Sequence, residues 1–345
     1  MWRQRGRREL CVGFNYLSYF EFLLHFPARI VHQYNAQKET FDRPVPPRGL
    51  DLFVVEPHRN YSNLMVEGHY VPEDVINQVE SFYEQGIVSD KFTIIIDNTI
   101  DYIASDVVFD FVQHFSSKIS AGSMCVIALR SAQKYDMVGF DDFQGGICTV
   151  FCTQTSCFDE DDLGRVHRGC IGKPCFQGVT FYQIACRDQQ DRYRRTIFMN
   201  NHMCNQALRR ELGTRVSLVE YDQFPLKITL ADDDTLCCID FRANSEDVIK
   251  DFADTLSDRG IPCQKRPNFG FAISNWFIWT DFDPPRSFGR LSMGFTTSRD
   301  LRTLCDSWVA FNRARIAPKH PDKKPPTILN MRKSPVGASA QQSLF

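Results

Sequence analysis

From residue 10 to about 150 the chain alternates short apolar runs with stretches of helical period, and this alternation restricts the fold more than any other feature. Strands that recur with a helix between them must cross over, and repeated crossovers build a largely parallel sheet. Four strands are predicted on that basis: LCVGF around residue 12, LDLFVVE at 50–56, FTIIID at 92–97 and MCVIALRS at 124–131. Between the second and third, Val75, Ile76, Val79, Phe82 and Tyr83 share one helical face. Between the third and fourth, Val107, Val108, Phe111, Val112 and Phe115 do the same, with Ser105 suited to cap the start and Gly122 to end the helix. After the glycine pair Gly145 and Gly146, ICTVFC predicts a further strand.

A helical region around 190–212 leads into a second organisation. There TLCCIDF, SEDVIKDFADTLSDRG, FGFAISNWFIW, FGRLSMGF and SRDLRTLCDSWVAFNR alternate as in a small α+β domain. The expected plan is an α/β large domain with a mainly parallel sheet over 1–215, a small α+β domain over 216–314, and an unstructured tail over 315–345, where proline and lysine recur without periodicity.

Composition removes several function classes. A formal net charge of -2 leaves no global basic field for a phosphate backbone, so nucleic acid is not an expected partner. The apolar stretch YLSYFEFLLHFPARIV is interrupted by Glu21, His25 and Arg29, and no membrane span is expected. The start, MWRQRGRREL, is neither a secretory h-region nor a transit peptide, which makes a cytoplasmic setting the expectation. Thirteen cysteines without a signal peptide predict reduced thiols. Cys148, Cys152, Cys157, Cys170 and Cys175, with His167, lack a C-x-x-C knuckle, so no metal is expected. The glycines of DEDDLGRVHRGCIGKPCFQG follow no G-x-G-x-x-G spacing, which argues against a Rossmann nucleotide site.

In an open parallel sheet, ligands sit at the carboxyl ends of the strands. Three predicted ends carry polar groups: Asn60 shortly after LFVVEP, Asp97 ending FTIIID, and Lys134 just beyond VIALRS. Taken singly, these read as an Asx-turn residue, a turn cap and a solvent-facing lysine. Taken together they suggest a site, because a lysine at such an edge needs solvent or a partner, and a covalent aldehyde is one such partner. Pyridoxal phosphate joins a lysine as a Schiff base and sets a carboxylate against its pyridine nitrogen. Lys134 and Asp97 fit those two roles.

IIIDNT, then RSAQKY, then a glycine pair before a strand resembles the fold-type-I pyridoxal-phosphate enzymes. These include the aspartate aminotransferase superfamily and the cystathionine and methionine lyase branch, with its D-N-T and S-A-T-K-Y. The resemblance runs from about 10 to 313 and implies pyridoxal 5'-phosphate as cofactor. It implies Lys134 as the Schiff-base lysine and acid–base catalyst, Asp97 on the ring nitrogen, Thr99 beside the cofactor and Ser131 on its phosphate, with Gln133 in place of a common threonine. VVEPHRNYSN is similar to the family's E-x-P-x-N-P segment, which would set Asn60 on the phenolic oxygen, with Tyr61 where proline is usual. CVGFNYLSYF resembles the strand that delivers an aromatic residue onto the ring, so Tyr16 or Tyr19 would stack there. FGRLSMGF resembles a small-domain strand whose arginine, here Arg290, grips the substrate carboxylate in two-point fashion. Family members carry an earlier segment whose glycine- or serine-containing turn holds the phosphate on a helix N-terminus, and the chain is expected to begin after it. The implied function is transfer of an amino group from an amino-acid substrate, in a homodimer, with a carbon–sulfur or other lyase reaction as the alternative. The rival from another class is a non-catalytic relative that binds a partner.

Overall fold

Strands covered on both faces must be apolar along their whole length, and the middle of the chain supplies such strands. The computed structural model describes residues 11–15, 30–35, 39–57, 74–100, 106–131, 146–153, 187–228, 238–266, 270–282 and 285–316. Its first sheet is built from β1 (Cys11–Phe14), β2 (Ile30–Asn35), β3 (Thr40–Phe41), β4 (Leu50–Val55), β5 (Val88–Asp97), β6 (Met124–Ser131) and β7 (Gly146–Phe151). They lie in the order β3-β2-β1-β4-β5-β6-β7. The five strands β2, β1, β4, β5 and β6 run parallel, and the edge strands β3 and β7 are antiparallel to their neighbours.

Alternation along each strand separates two faces. Phe53 and Val55 of β4, Ile94 and Ile96 of β5 and Val126 of β6 face the crossover helices. These are α1 (Val75–Glu84), α2 (Val107–His114) and α3 (Ser116–Ser120), which contribute Val79, Phe82, Phe111 and Ile119, with Phe115 at the α2–α3 break. Val12, Phe14, Leu52, Val54 and Ile95 form the core of the opposite face. Asp74 caps α1 by accepting from Asn77 N, and Gly122, with a φ of 75°, closes the turn into β6. The α2 cap position falls on Asp106, whose side chain makes no capping bond; the expected cap, Ser105, lies outside the described residues. Phe41, Tyr34, Phe53 and Phe82 meet edge-on or tilted, with centroids between 5.0 and 6.4 Å apart. At Gly13 an added Cβ would come within 2.9 Å of the Phe41 ring, so a glycine lets that ring lie on β1.

The long helix α4 (Arg187–Arg215) and the short α5 (Leu218–Asp222) lead to a second sheet of β8 (Leu226–Ile228), β9 (Ile239–Ala243), β10 (Cys263–Lys265), β11 (Ser274–Phe282) and β12 (Pro285–Ser292). Its order is β10-β11-β12-β9-β8, with only β10 and β11 parallel. Helices α6 (Glu246–Asp258) and α7 (Ser298–Arg315) bury Ile249, Phe252, Leu256, Leu304, Trp308 and Phe311 against Phe241 and Leu291. Gly289 is required here, because a Cβ on it would collide with Ile249. A capping box between Thr297 and Asp300 starts α7. Further along α7, Asn312 accepts from Leu226 N at 2.9 Å and Trp308 Nε1 donates to Leu226 O at 3.2 Å, so one helix satisfies both backbone groups of a β8 residue.

Among the described residues no helix is long and apolar enough to cross a membrane. No group of three His, Cys, Asp or Glu is placed to hold a metal ion there either. Of the cysteine cluster, Cys148 is exposed and Cys152 half-buried, both as free thiols, while Cys157, Cys170, Cys175 and His167 lie outside the described residues.

Candidate functional site

Because β1, β4, β5 and β6 are adjacent and parallel, their carboxyl ends share one edge, which carries Asn15, Glu56, Asp97 and Ser131. Asn15 extends the β1–β4 pairing past the last strand residue: its Nδ2 donates to Glu56 O at 3.0 Å and its Oδ1 accepts from Glu56 N at 3.1 Å. Both residues are buried. A buried amide that mimics a backbone unit keeps the strand ends paired where the ladder stops.

Asp97 closes β5, paired in register with Leu129 of β6. It follows Thr93 and Ile95 by alternation, so it stands on the face opposite α1–α3. Its Oδ1 accepts from Thr99 N at 3.0 Å and from Thr99 Oγ1 at 2.6 Å, which is an Asx-type turn. The same Thr99 hydroxyl accepts from Ser131 N at 2.9 Å. Asn98 N, between them, donates to Leu129 O at 2.9 Å. Asp97 Oδ2 and Ser131 Oγ take no hydrogen bond among the described residues, and both side chains are half-buried. The edge therefore presents one anchored carboxylate with an oxygen to spare, beside a hydroxyl.

Two neighbouring elements frame this edge. Ser131 pairs with Gly146, so β7 begins level with the end of β6. Ile100, just after Thr99, is buried with Tyr193, Ile197 and Phe198 of α4 and with Cys238. Tyr193 reaches onward, donating its hydroxyl to Gly270 O at 2.8 Å, and burial raises its pKa. About two turns further, Asn201 is fully buried; its Oδ1 accepts from Met293 N at 2.7 Å and its Nδ2 donates to Met293 O at 2.9 Å. Asn200 Nδ2 donates to Gly294 O at 2.8 Å. The helix that touches the turn after Asp97 thus also holds the segment that follows β12.

Of the residues singled out from the sequence, Asp97, Thr99 and Ser131 meet in one hydrogen-bonded group. Lys134, Asn60, Tyr16 and Tyr19 lie outside the described residues. Arg290 is in β12, directly across from Asp240 of β9. Its Nε donates to Asp240 Oδ1 at 2.9 Å and its Nη2 to Asp240 Oδ2 at 3.1 Å, with 7% and 2% of the two residues exposed. The two-point grip expected for a substrate carboxylate is thus made on a carboxylate of the protein itself. Sequence reasoning did not reach Asn15, Glu56 or Asn201; a polar residue directly after the run CVGF was the available signal for the first.

No protein-family model and no curated protein matches the chain. Among solved structures it is similar to cystathionine gamma synthase from Xanthomonas oryzae pv. oryzae in complex with cystathionine, at 14% identity and a TM-score of 0.55, over 89% of this chain and 77% of that one. The same enzyme in complex with aminoacrylate and cysteine gives 14% identity and a TM-score of 0.56, over 89% and 76%. It is also similar to 8-amino-7-oxononanoate synthase from Francisella tularensis, at 10% identity and a TM-score of 0.51, over 88% and 75%. At such identities the likeness is one of fold, and it agrees with the mixed, mainly parallel first sheet and its covering helices. The chain has the α/β fold of the fold-type-I pyridoxal-phosphate-dependent enzymes.

Proposed function

We propose that the chain is a pyridoxal-phosphate-dependent enzyme acting on an amino acid, and that it carries out elimination or replacement at the substrate side chain. The observation that carries this reading is the Asp97 carboxylate, fixed through Oδ1 and with Oδ2 lacking a partner among the described residues, at the carboxyl edge of a parallel sheet. That arrangement fits a protonated ring nitrogen, which needs one anionic acceptor held in place. Ser131 fits the phosphate for a similar reason, its hydroxyl being without a partner among the described residues while its backbone is tied down. Lys134 follows Ser131 by three positions, and chain length alone limits that separation to about 10–11 Å. When bound, the cofactor supplies an electron sink for negative charge at the substrate α-carbon.

In this reading Lys134 would hold the cofactor through its aldehyde and would move the proton at the substrate α-carbon. Asp97 would accept from the ring nitrogen, Asn60 would donate to the phenolic oxygen, and Tyr16 would stack on the ring. Elimination or replacement is favoured over transamination because two of the similar structures are a cystathionine gamma synthase, one in complex with aminoacrylate and cysteine. A homodimer and a cytoplasmic setting belong to the same proposal, the latter supported by the free thiols among the described cysteines.

The test is a visible absorption spectrum after incubation with pyridoxal phosphate, for the natural chain and for Lys134→Ala. We expect a band in the first that the second lacks. Identical spectra would overturn the assignment. Incubating the loaded protein with cystathionine then separates the reactions: thiol release supports elimination, and stoichiometric amino transfer to an added keto acid supports transamination.

A further inference from the structure

We propose that Thr99 is a positioning residue that does not touch the cofactor but fixes the carboxylate that does; this rests on the cofactor reading above. Its side chain occupies the only place where the ends of β5 and β6 are joined by a side chain among the described contacts: Oγ1 lies 2.6 Å from Asp97 Oδ1 and 2.9 Å from Ser131 N. The direction of both bonds follows from chemistry. Ser131 N can only donate, so the hydroxyl accepts there and gives its single proton to Asp97. The 2.6 Å distance is that of a hydroxyl on a carboxylate. Thr99 N adds a second donor to the same oxygen at 3.0 Å.

Three consequences follow. Oδ1 is engaged from two directions, so rotation of the carboxylate is blocked and Oδ2 is left as the acceptor for an incoming N–H. The hydroxyl adds a side-chain tie between the turn 97–99 and Ser131, the last residue of β6, to the backbone ties that Asp97 and Asn98 make with Leu129. Thr99 itself is 5% exposed, and the next residue, Ile100, is buried against α4. The hydroxyl has no proton left for a ligand. This separates Thr99 from the cofactor-binding role that the family resemblance suggests for it.

The experiment is a visible titration with pyridoxal phosphate of the natural chain, Thr99→Ser, Thr99→Val, Asp97→Ala and the double variant Thr99→Val/Asp97→Ala, with each melting temperature recorded. Thr99→Ser keeps the hydroxyl and should bind as the natural chain does. Thr99→Val keeps the shape and should weaken the apparent Kd roughly ten- to a hundredfold. In the Asp97→Ala background the same change should alter Kd by less than about twofold, because a residue that acts through Asp97 has nothing left to act on. If Thr99→Val does not fold, Thr99→Ala takes its place in both backgrounds. A loss that persists undiminished without Asp97, or no loss at all, overturns the role of Thr99 while leaving the cofactor reading intact. A natural chain that shows no visible band overturns both.

Discussion

Arg290 and Asp240 show what a single pair of charges demands of this fold. Taking a guanidinium and a carboxylate out of water costs several kcal/mol per ion, and only near-ideal geometry returns it. The two-point contact at 2.9 and 3.1 Å, between residues directly opposite on antiparallel strands, is of that quality. Removing one partner strands the other. Arg290→Met is therefore expected to lower unfolding free energy by about 3–5 kcal/mol, and Arg290→Met/Asp240→Leu to recover most of that loss. Chemical denaturation of the three proteins checks this. A single variant as stable as the natural chain would show that the pair does not hold the second sheet together. The sequence led to the expectation that Arg290 grips a substrate carboxylate; in the structure its guanidinium makes a paired contact with Asp240. Asp240 lies fifty positions upstream, and only the register of β12 against β9 brings the two opposite each other.

Whole elements in this chain are pinned by buried amides. Asn201 on α4 satisfies both backbone groups of Met293, and Asn312 on α7 accepts from Leu226 N. Replacing Asn201 by alanine leaves a buried N–H and C=O without partners, at about 1–3 kcal/mol for each unmade group. We expect a loss of about 2–4 kcal/mol in urea with an unchanged m-value. A loss under about 0.5 kcal/mol would mean that the α4 contact is incidental. Such pins are illegible in a sequence, because an asparagine inside a helix looks like any polar surface position. The central strands were legible for the opposite reason. A parallel strand buried on both faces is a largely apolar run: β4 and β6 fall on the predicted LDLFVVE and MCVIALRS, while β5 begins at Val88, four residues before the predicted FTIIID. Strand β2, IVHQYN, carries two polar residues in its middle and follows an aromatic stretch, so it offered no such run. Strands β8 and β10 span three residues each, too short for any period to show. Of the site, Asp97, Thr99 and Ser131 were readable as a motif at strand ends. The hydroxyl that links them was not, since it depends on the closeness of two ends thirty-two positions apart.

At the scale of the molecule, the two sheets have separate cores, joined by a small cluster in which Ile100 from the first meets Tyr193, Ile197 and Phe198 of α4 and Cys238. Whether they unfold together can be read from a titration, because the charge-sensitive group lies in one and tryptophans lie in the other. His32 of β2 is 1% exposed. Burial lowers its pKa below the ordinary value of 6.5; Asp42, whose Oδ1 is 3.8 Å from Nδ1, and a backbone hydrogen bond at Arg43 oppose this, and the Arg43 charge adds to it. The sign of the effect follows. As pH falls below 6.5 the unfolded chain takes up a proton that the native ring resists, so stability is full above that value and declines below it. The slope is at most about 1.4 kcal/mol per pH unit for one such group. His32→Leu removes the proton difference, and its stability should be flatter than that of the natural chain between pH 6.5 and the acid limit of folding. Trp276 of β11 and Trp308 of α7 are buried in the core of the second sheet and report on it by fluorescence, while circular dichroism reports on both sheets. Because the Ile100 cluster joins the cores, we expect the acid-induced shift caused by His32 to move the fluorescence and dichroism midpoints equally. If only dichroism shifts, the sheets unfold independently. If the slopes of His32→Leu and the natural chain coincide, His32 titrates in the native state as it does in the open chain.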